Sequence, residues 1–131
     1  SFIGDVAIVR GTVRGVNDDE ICVKVGEAQL MGSLAGFPEA IPGEAVDVFI
    51  RPEDLRSAED GDAVAIRGVV TARIFQGGYA DIAVTTPDAP SERVIMRCPV
   101  WEKAAELSPG TPISISVNAA EVAIFPPMPF G

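Results

Sequence analysis

Pro42-Gly43-Glu44-Ala45-Val46-Asp47-Val48-Phe49-Ile50 recurs as Pro109-Gly110-Thr111-Pro112-Ile113-Ser114-Ile115-Ser116-Val117. Each copy is a Pro-Gly turn followed by a β-rich run that alternates apolar with polar or small residues, the period of a half-buried strand. Working outward, Gly11-Thr12-Val13 through Val23-Lys24-Val25 matches Gly68-Val69-Val70 through Ile82-Ala83-Val84. The spacing of the matches grows along the chain, which places an insertion of about ten residues near Pro87 to Glu106 of the second copy. Each copy therefore reads as a hairpin, a loop and a final strand. A unit of about 60 residues is marginal for a private core. Two small five-stranded barrels packed together remove that difficulty, and closure removes exposed strand edges. The expected fold is all-β, a tandem of small β-barrels over 1–60 and 61–131, with exchange of strands between the two left open.

The remaining elements follow from local pattern. Val6–Val16 and Glu20–Val25 form a hairpin over Asn17-Asp18-Asp19, and Ala28–Ser33 extends or follows it. Glu53-Asp54-Leu55-Arg56 reads as a short turn or one helical turn. Ala63–Phe75 and Tyr79–Val84 form the second hairpin over Gln76-Gly77-Gly78. Pro87–Ser91 reads as a loop, Arg93–Cys98 as a strand, and Trp101–Leu107 as one or two helical turns. Glu121–Phe125 follows the last alternating run, and the Pro-rich tail from Pro126 ends strand structure.

Composition narrows the function. The chain has 131 residues, 10 Lys plus Arg against 19 Asp plus Glu, a formal net charge of −9 and no histidine. Without histidine there is no Ser-His-Asp triad, no Cys-His dyad, no HExxH zinc site and no imidazole base. The acidic balance opposes a nucleic-acid partner, whose phosphates call for clustered Lys and Arg. Aromatics are 6% of the chain, too few for a base- or sugar-stacking platform. Apolar residues at 47% support a packed core. Cys22 and Cys98 are far apart and form no CxxC pair, so two free thiols in a reducing compartment are expected. No apolar run is long enough to span a bilayer, and no signal-peptide pattern opens the chain. It begins Ser-Phe-Ile-Gly without an initiating Met, as a piece of a longer protein would.

Several phrases together resemble a known family. Phe2-Ile3-Gly4-Asp5, Gly11-Thr12-Val13 and Val48-Phe49-Ile50-Arg51-Pro52-Glu53-Asp54-Leu55 are similar to the C-terminal regulatory region of ABC-importer ATP-binding subunits, closest to the ferric-iron and polyamine branch. Gly68-Val69-Val70 through Phe75-Gln76-Gly77 is similar to a second family phrase, and Val122–Phe125 to its usual end. The resemblance implies tandem OB-like barrels of the TOBE type that follow a nucleotide-binding domain. It implies as partners the subunit's own ATPase domain, a second copy in a homodimer and, indirectly, the membrane permease, on the cytoplasmic face of the membrane. In some family members the region also receives regulatory ligands or proteins. The chain lacks a phosphate loop, a Leu-Ser-Gly-Gly-Gln-like signature and an apolar strand ending in Asp-Glu. ATP and Mg would be bound by the absent ATPase domain. The fragment itself is expected to need no cofactor and to catalyse nothing.

Local candidates carry two readings each. Arg51, Pro52 and Glu53 form either a charged structural or interface motif or a strand terminator set by the missing Pro52 donor. Gln76, Gly77 and Gly78 form either a hairpin turn or an anion cradle of backbone N–H groups. The cradle would suit a stand-alone cytoplasmic carrier of molybdate-like oxyanions. Asp18-Asp19-Glu20 and Glu59-Asp60-Gly61-Asp62 lack the ligand spacing of a calcium loop and read as solvated turns. Trp101, Phe125 and Phe130, with Met128, are candidates for an apolar contact patch.

Overall fold

The computed structural model describes residues 2–3, 6–26, 28–86 and 89–128. Its eleven strands are β1 (Phe2–Ile3), β2 (Val6–Val16), β3 (Glu20–Val25), β4 (Ala28–Ser33), β5 (Ala45–Ile50), β6 (Leu55–Ser57), β7 (Ile66–Gln76), β8 (Tyr79–Thr86), β9 (Ala89–Pro99), β10 (Pro112–Val117) and β11 (Ala123–Phe125). Short 3₁₀ turns connect them at Leu34–Gly36, Pro52–Asp54, Lys103–Glu106 and Ala119–Glu121. The fold is all-β.

The first sheet runs β1-β2-β3-β4-β11-β5, and β5 pairs back onto β2, closing a five-stranded barrel with β1 on its flank. The second sheet runs β6-β10-β7-β8-β9. Two strands therefore lie away from their sequence neighbours. β6 leaves the first barrel and pairs antiparallel with β10. β11 leaves the second sheet and lies antiparallel to β5 and parallel to β4. The exchange is reciprocal.

The repeat read in the sequence is reproduced bond by bond. The β2–β3 ladder shifts register between Val13 and Gly15, and the β7–β8 ladder between Val70 and Ala72. At the first shift the Val13 N–H donates to Glu44 C=O (2.8 Å), and the Gly43 N–H donates to Val13 C=O (2.9 Å). At the second, Val70 donates to Thr111 (2.9 Å) and Gly110 to Val70 (2.7 Å). Gly43 and Gly110 both take φ +94°, which a β-carbon disfavours, and this accounts for the repeated Pro-Gly. Gly11 and Gly68 recur because a β-carbon at either would collide with the next strand, at Val23 or at the Thr85 carbonyl.

Alternation places the core. Val46, Val48 and Ile50 of β5 point inward, as do Ile113 and Ile115 of β10. Buried residues of both sheets, from Val13 and Val23 to Val84 and Met96, form one continuous cluster. This is the physical answer to the small size of each repeat. Among the described residues the one buried hydroxyl, on Ser116, donates to the Ala63 carbonyl at 2.9 Å.

Three local expectations are corrected. Ala89-Pro90-Ser91 lie within β9 rather than in a loop, because β9 is drawn alongside β8 as far as Thr86↔Ala89; Pro87 and Asp88 fall outside the described residues. Leu55 and Arg56 belong to a strand rather than a turn, since β10 offers them a ladder. Glu121 ends a 3₁₀ turn and the strand begins at Ala123. Lys103–Glu106 form a single 3₁₀ turn inside the stretch of helical composition.

Candidate functional site

Arg51, Pro52 and Glu53 lie where the chain crosses from the first barrel to the second sheet. Pro52 opens the 3₁₀ turn and is buried, whereas Arg51 and Glu53 are exposed. Proline suits this position, because its fixed φ starts the turn and no donor is lost from a ladder. The return crossing at Asn118–Glu121 lies beside it. Arg56 Nη1 donates to Asn118 Oδ1 at 3.3 Å. Burial, then the charges of Glu121 and Glu53, push the Asp54 carboxyl above its ordinary range, against the pull of Arg51. The two crossings thus meet in a small acidic junction.

Asp47 is the charged group that sequence reading passed over. It sits on β5 between β2 and β11 and is 2% exposed. Arg10 Nε donates to its Oδ1 at 2.6 Å, and the Met128 N–H donates to its Oδ2 at 2.8 Å. Burial raises the Asp47 pKa, but the Met128 and Arg10 bonds outweigh it and hold the group below the usual value of 3.8. One carboxylate thereby ties the strand exchanged into the first barrel, and the tail after it, to β2 and β5. The sequence signal was an acid at an outward position of an apolar strand, with Arg10 directly opposite in register.

Gln76 ends β7, and Gly77-Gly78 form the two-residue turn into β8. Gly77 takes φ +74°, as a hairpin turn of the type II′ class requires at its first position. All three residues are exposed at the tip. Beside that tip the Val100 N–H donates to the Gly78 carbonyl, which brings Trp101, 81% exposed, next to the turn. Ile74 and Phe75 are also more than half exposed here. On β9, Arg97 donates to both oxygens of Asp81 (2.8 and 3.2 Å) and lies over the Tyr79 ring at 4.5 Å, stiffening the base of the hairpin.

Phe125 lies in the other sheet, edge-on to Phe49 with centroids 5.2 Å apart. Trp101 and Phe125 thus do not share a sheet, and Phe130 falls outside the described residues. A cleft of about 350 Å³ opens along the β4–β11 seam, lined by Ser33, Ala35, Gly36 and Ala123–Phe125. Among the described residues no three His, Cys, Asp or Glu side chains converge on a point, and no helix is long and apolar enough to cross a membrane. Around Asp18-Asp19-Glu20 the Asn17 N–H donates to the Glu20 carbonyl and the Leu34 N–H to the Asp19 carbonyl, whereas Glu59–Asp62 closes on itself, Asp62 N–H donating to the Glu59 carbonyl and Glu59 N–H to Asp62 Oδ2. Cys22 is half-buried on β3, and Cys98 is buried on β9 with its thiol pKa raised by that burial; both are free.

A closed five-stranded barrel interlocked with a second five-stranded sheet built on the same repeat defines a tandem OB-like β module. The chain belongs to the TOBE domain family, whose sequence model matches residues 48–125. It is similar to two spermidine/putrescine import ATP-binding proteins named PotA. With that of Rubrobacter xylanophilus it shares 31% identity over 120 residues, 90% of this chain and 31% of the relative. With that of Acetivibrio thermocellus it shares 32% over 127 residues, 97% of this chain and 32% of the relative. The chain thus spans about a third of the length of the curated relatives it matches. Among solved structures it is similar to the cytoplasmic molybdate-binding protein ModG in its molybdate-bound form. The TM-score is 0.75 over 92% of this chain and 96% of that one, at 17% identity, a likeness of fold. The family read from the sequence phrases is the family found.

Proposed function

We propose that this chain is the non-catalytic C-terminal accessory region of an ABC-importer ATP-binding subunit. The carrying observation is that nearly the whole chain aligns to a third of two such subunits. The polyamine branch is favoured, because both relatives import spermidine and putrescine. In this reading the module sits on the cytoplasmic face and reaches the permease only through the transporter. It holds two subunits together through the ATPase cycle. An effector that prefers one state of the module would bias that cycle by its differential affinity alone.

The test is to read the gene upstream of the Ser1 codon and to delete this region from the full subunit. A phosphate loop upstream, with nucleotide binding kept and dimerisation or regulation weakened in the deletion, supports the proposal. A start codon directly before Ser1, or loss of nucleotide binding in a folded deletion variant, overturns it. The fold likeness to ModG favours one second reading, a stand-alone oxyanion carrier. Calorimetric titration with molybdate, tungstate and sulfate decides it, since absence of heat at millimolar ligand removes it.

A further inference from the structure

β11 closes the first barrel on few backbone contacts. Its ladder to β5 spans three residues. On the β4 side it keeps one parallel bridge, Ala123↔Ser33, where the Ser33 N–H donates to the Val122 carbonyl at 3.3 Å. A longer parallel ladder would next carry the Ala35 N–H to the Ile124 carbonyl. That N–H is taken instead by Ser33 Oγ at 3.1 Å, in the 3₁₀ turn that follows β4. The Ile124 carbonyl lies against Gly36, and the seam opens there into the cleft lined by Ser33, Ala35, Gly36 and Ala123–Phe125.

Two features make up for the short ladder. The Ile124 side chain is fully buried. The other is Asp47, which stands opposite Phe125, the last residue of β11. Pro126 and Pro127 carry no N–H, so Met128 supplies the first backbone donor after the strand. Asp47 Oδ2 accepts it at 2.8 Å, while Arg10 Nε holds Oδ1. The two exposed prolines have fixed φ, so the tail loses little entropy in reaching back to Asp47.

Chain topology separates the two exchanged strands. β6 is fastened on both sides, by the 3₁₀ turn Pro52–Asp54 before it and by the Ala58 N–H to the Ser114 carbonyl after it. β11 follows the turn Ala119–Glu121. After it, among the described residues, the backbone makes one hydrogen bond, that of Met128 to Asp47.

We propose that β11 and the tail through Met128 form a latched strap. The strap lifts from β4 and β5 as one unit about the Ala119–Glu121 turn while the rest of both sheets stays folded, and the Met128–Asp47 bond sets how often it does. Opening begins on the β4 side, where the cleft takes the place of a ladder. It uncovers the β5 edge from Asp47 to Phe49 and the core behind Ile124. The second sheet has no counterpart, because Ser114 stands where Asp47 does and β6 cannot leave without moving the chain on both sides of it. Anything that draws the tail away from Asp47 therefore loosens the first barrel and spares the second sheet. The latch is a property of this chain and does not rest on the accessory-domain reading.

Amide hydrogen exchange of the whole chain, read residue by residue at low urea concentrations, tests the strap. The β11 amides are expected to exchange at least about tenfold faster than those of Ile82 and Val84 in β8, which has ladders on both sides. Their exchange should also depend little on urea, since lifting the strap exposes far less surface than global unfolding. Met128→Pro deletes the donor and should speed β11 exchange about tenfold with that weak urea dependence kept. Met128→Ala keeps the N–H and should leave β11 exchange unchanged. The proposal is overturned by one common rate and urea dependence for β11 and β8, by unchanged β11 exchange in Met128→Pro, or by equal acceleration in the two variants. None of those results touches the accessory-domain reading, which is judged by the upstream gene and by nucleotide binding.

Discussion

The two halves of the molecule exchange a strand in the same way but receive it differently. β11 enters the first barrel between two strands, with an antiparallel ladder to β5 and a parallel bridge to β4 at Ala123↔Ser33. β6 enters the second sheet beside β10 alone among the described ladders. The Asp47 clamp reinforces the first arrangement, whereas the equivalent position of the second repeat is Ser114, which carries no charge. Identical topology therefore does not mean equal stitching. A strand of three residues closes the first barrel by ladders on both sides, whereas in the second sheet β6 has a ladder to β10 and meets β9 without one.

The largest expected effect tests that difference in the donated strands. Ile124 is fully buried and Leu55 is 3% exposed. Truncating either to Ala should cost about 2–5 kcal/mol. Ile124→Ala is expected towards the upper end, since strands on both sides of β11 resist collapse into the cavity. Equal urea midpoints for the two variants would show that closure adds nothing.

Next comes the clamp. Asp47→Ala strands the Met128 N–H and removes the partner of Arg10, for a loss of about 1–3 kcal/mol. Ser114→Ala should stay within about 0.5 kcal/mol. The acid limb of stability sharpens the same comparison. Asp47 is held below 3.8, so its contribution is present above that pH and is lost as pH falls through its folded value. Asp54 is raised, so its ionisation opposes folding at neutral pH, and that penalty fades as pH falls through its folded value towards 3.8. Stability measured from pH 7 downward should therefore fall less steeply in Asp47→Asn and more steeply in Asp54→Asn than in the parent.

Glycine substitutions give a smaller contrast. A β-carbon at Gly36 would collide with the Ile124 carbonyl of β11, so Gly36→Ala should cost about 1–3 kcal/mol in thermal unfolding. Gly78 meets open space and needs no positive φ, so Gly78→Ala should be near neutral, within about 0.5 kcal/mol. The smallest effect belongs to Arg56, exposed, 3.3 Å from Asn118 and 3.9 Å from Asp62. Replacing it with Ala should change stability by less than about 0.5 kcal/mol.

Much of this was legible in the sequence. The repeated Pro-Gly reports a positive φ, and the paired Gly11 and Gly68 report close approaches of neighbouring strands, and such constraints leave a residue-level mark. Partner choice leaves none. Leu55-Arg56-Ser57 and Ala123-Ile124-Phe125 are three-residue strands, and nothing in so short a run says which sheet will accept it. The same holds for Ile74 and Phe75, which continue the apolar run of β7 yet extend past the strand that would have covered them. Asp47 was hidden for a different reason. A lone acid in an apolar strand is informative only once Arg10 and Met128 are known to meet it.

The position of β11 also sets a timetable. β5 is made by residue 50, but the strand that completes its barrel ends at residue 125. During synthesis the ribosome must add about 75 more residues, on the order of 4–15 s of elongation, before the first barrel can shut. Throughout that interval the outer edge of β5 stands open in the nascent chain. Within this region the repeat made first is therefore finished last, and a ribosome stalled before β11 would release a chain with an unsealed barrel.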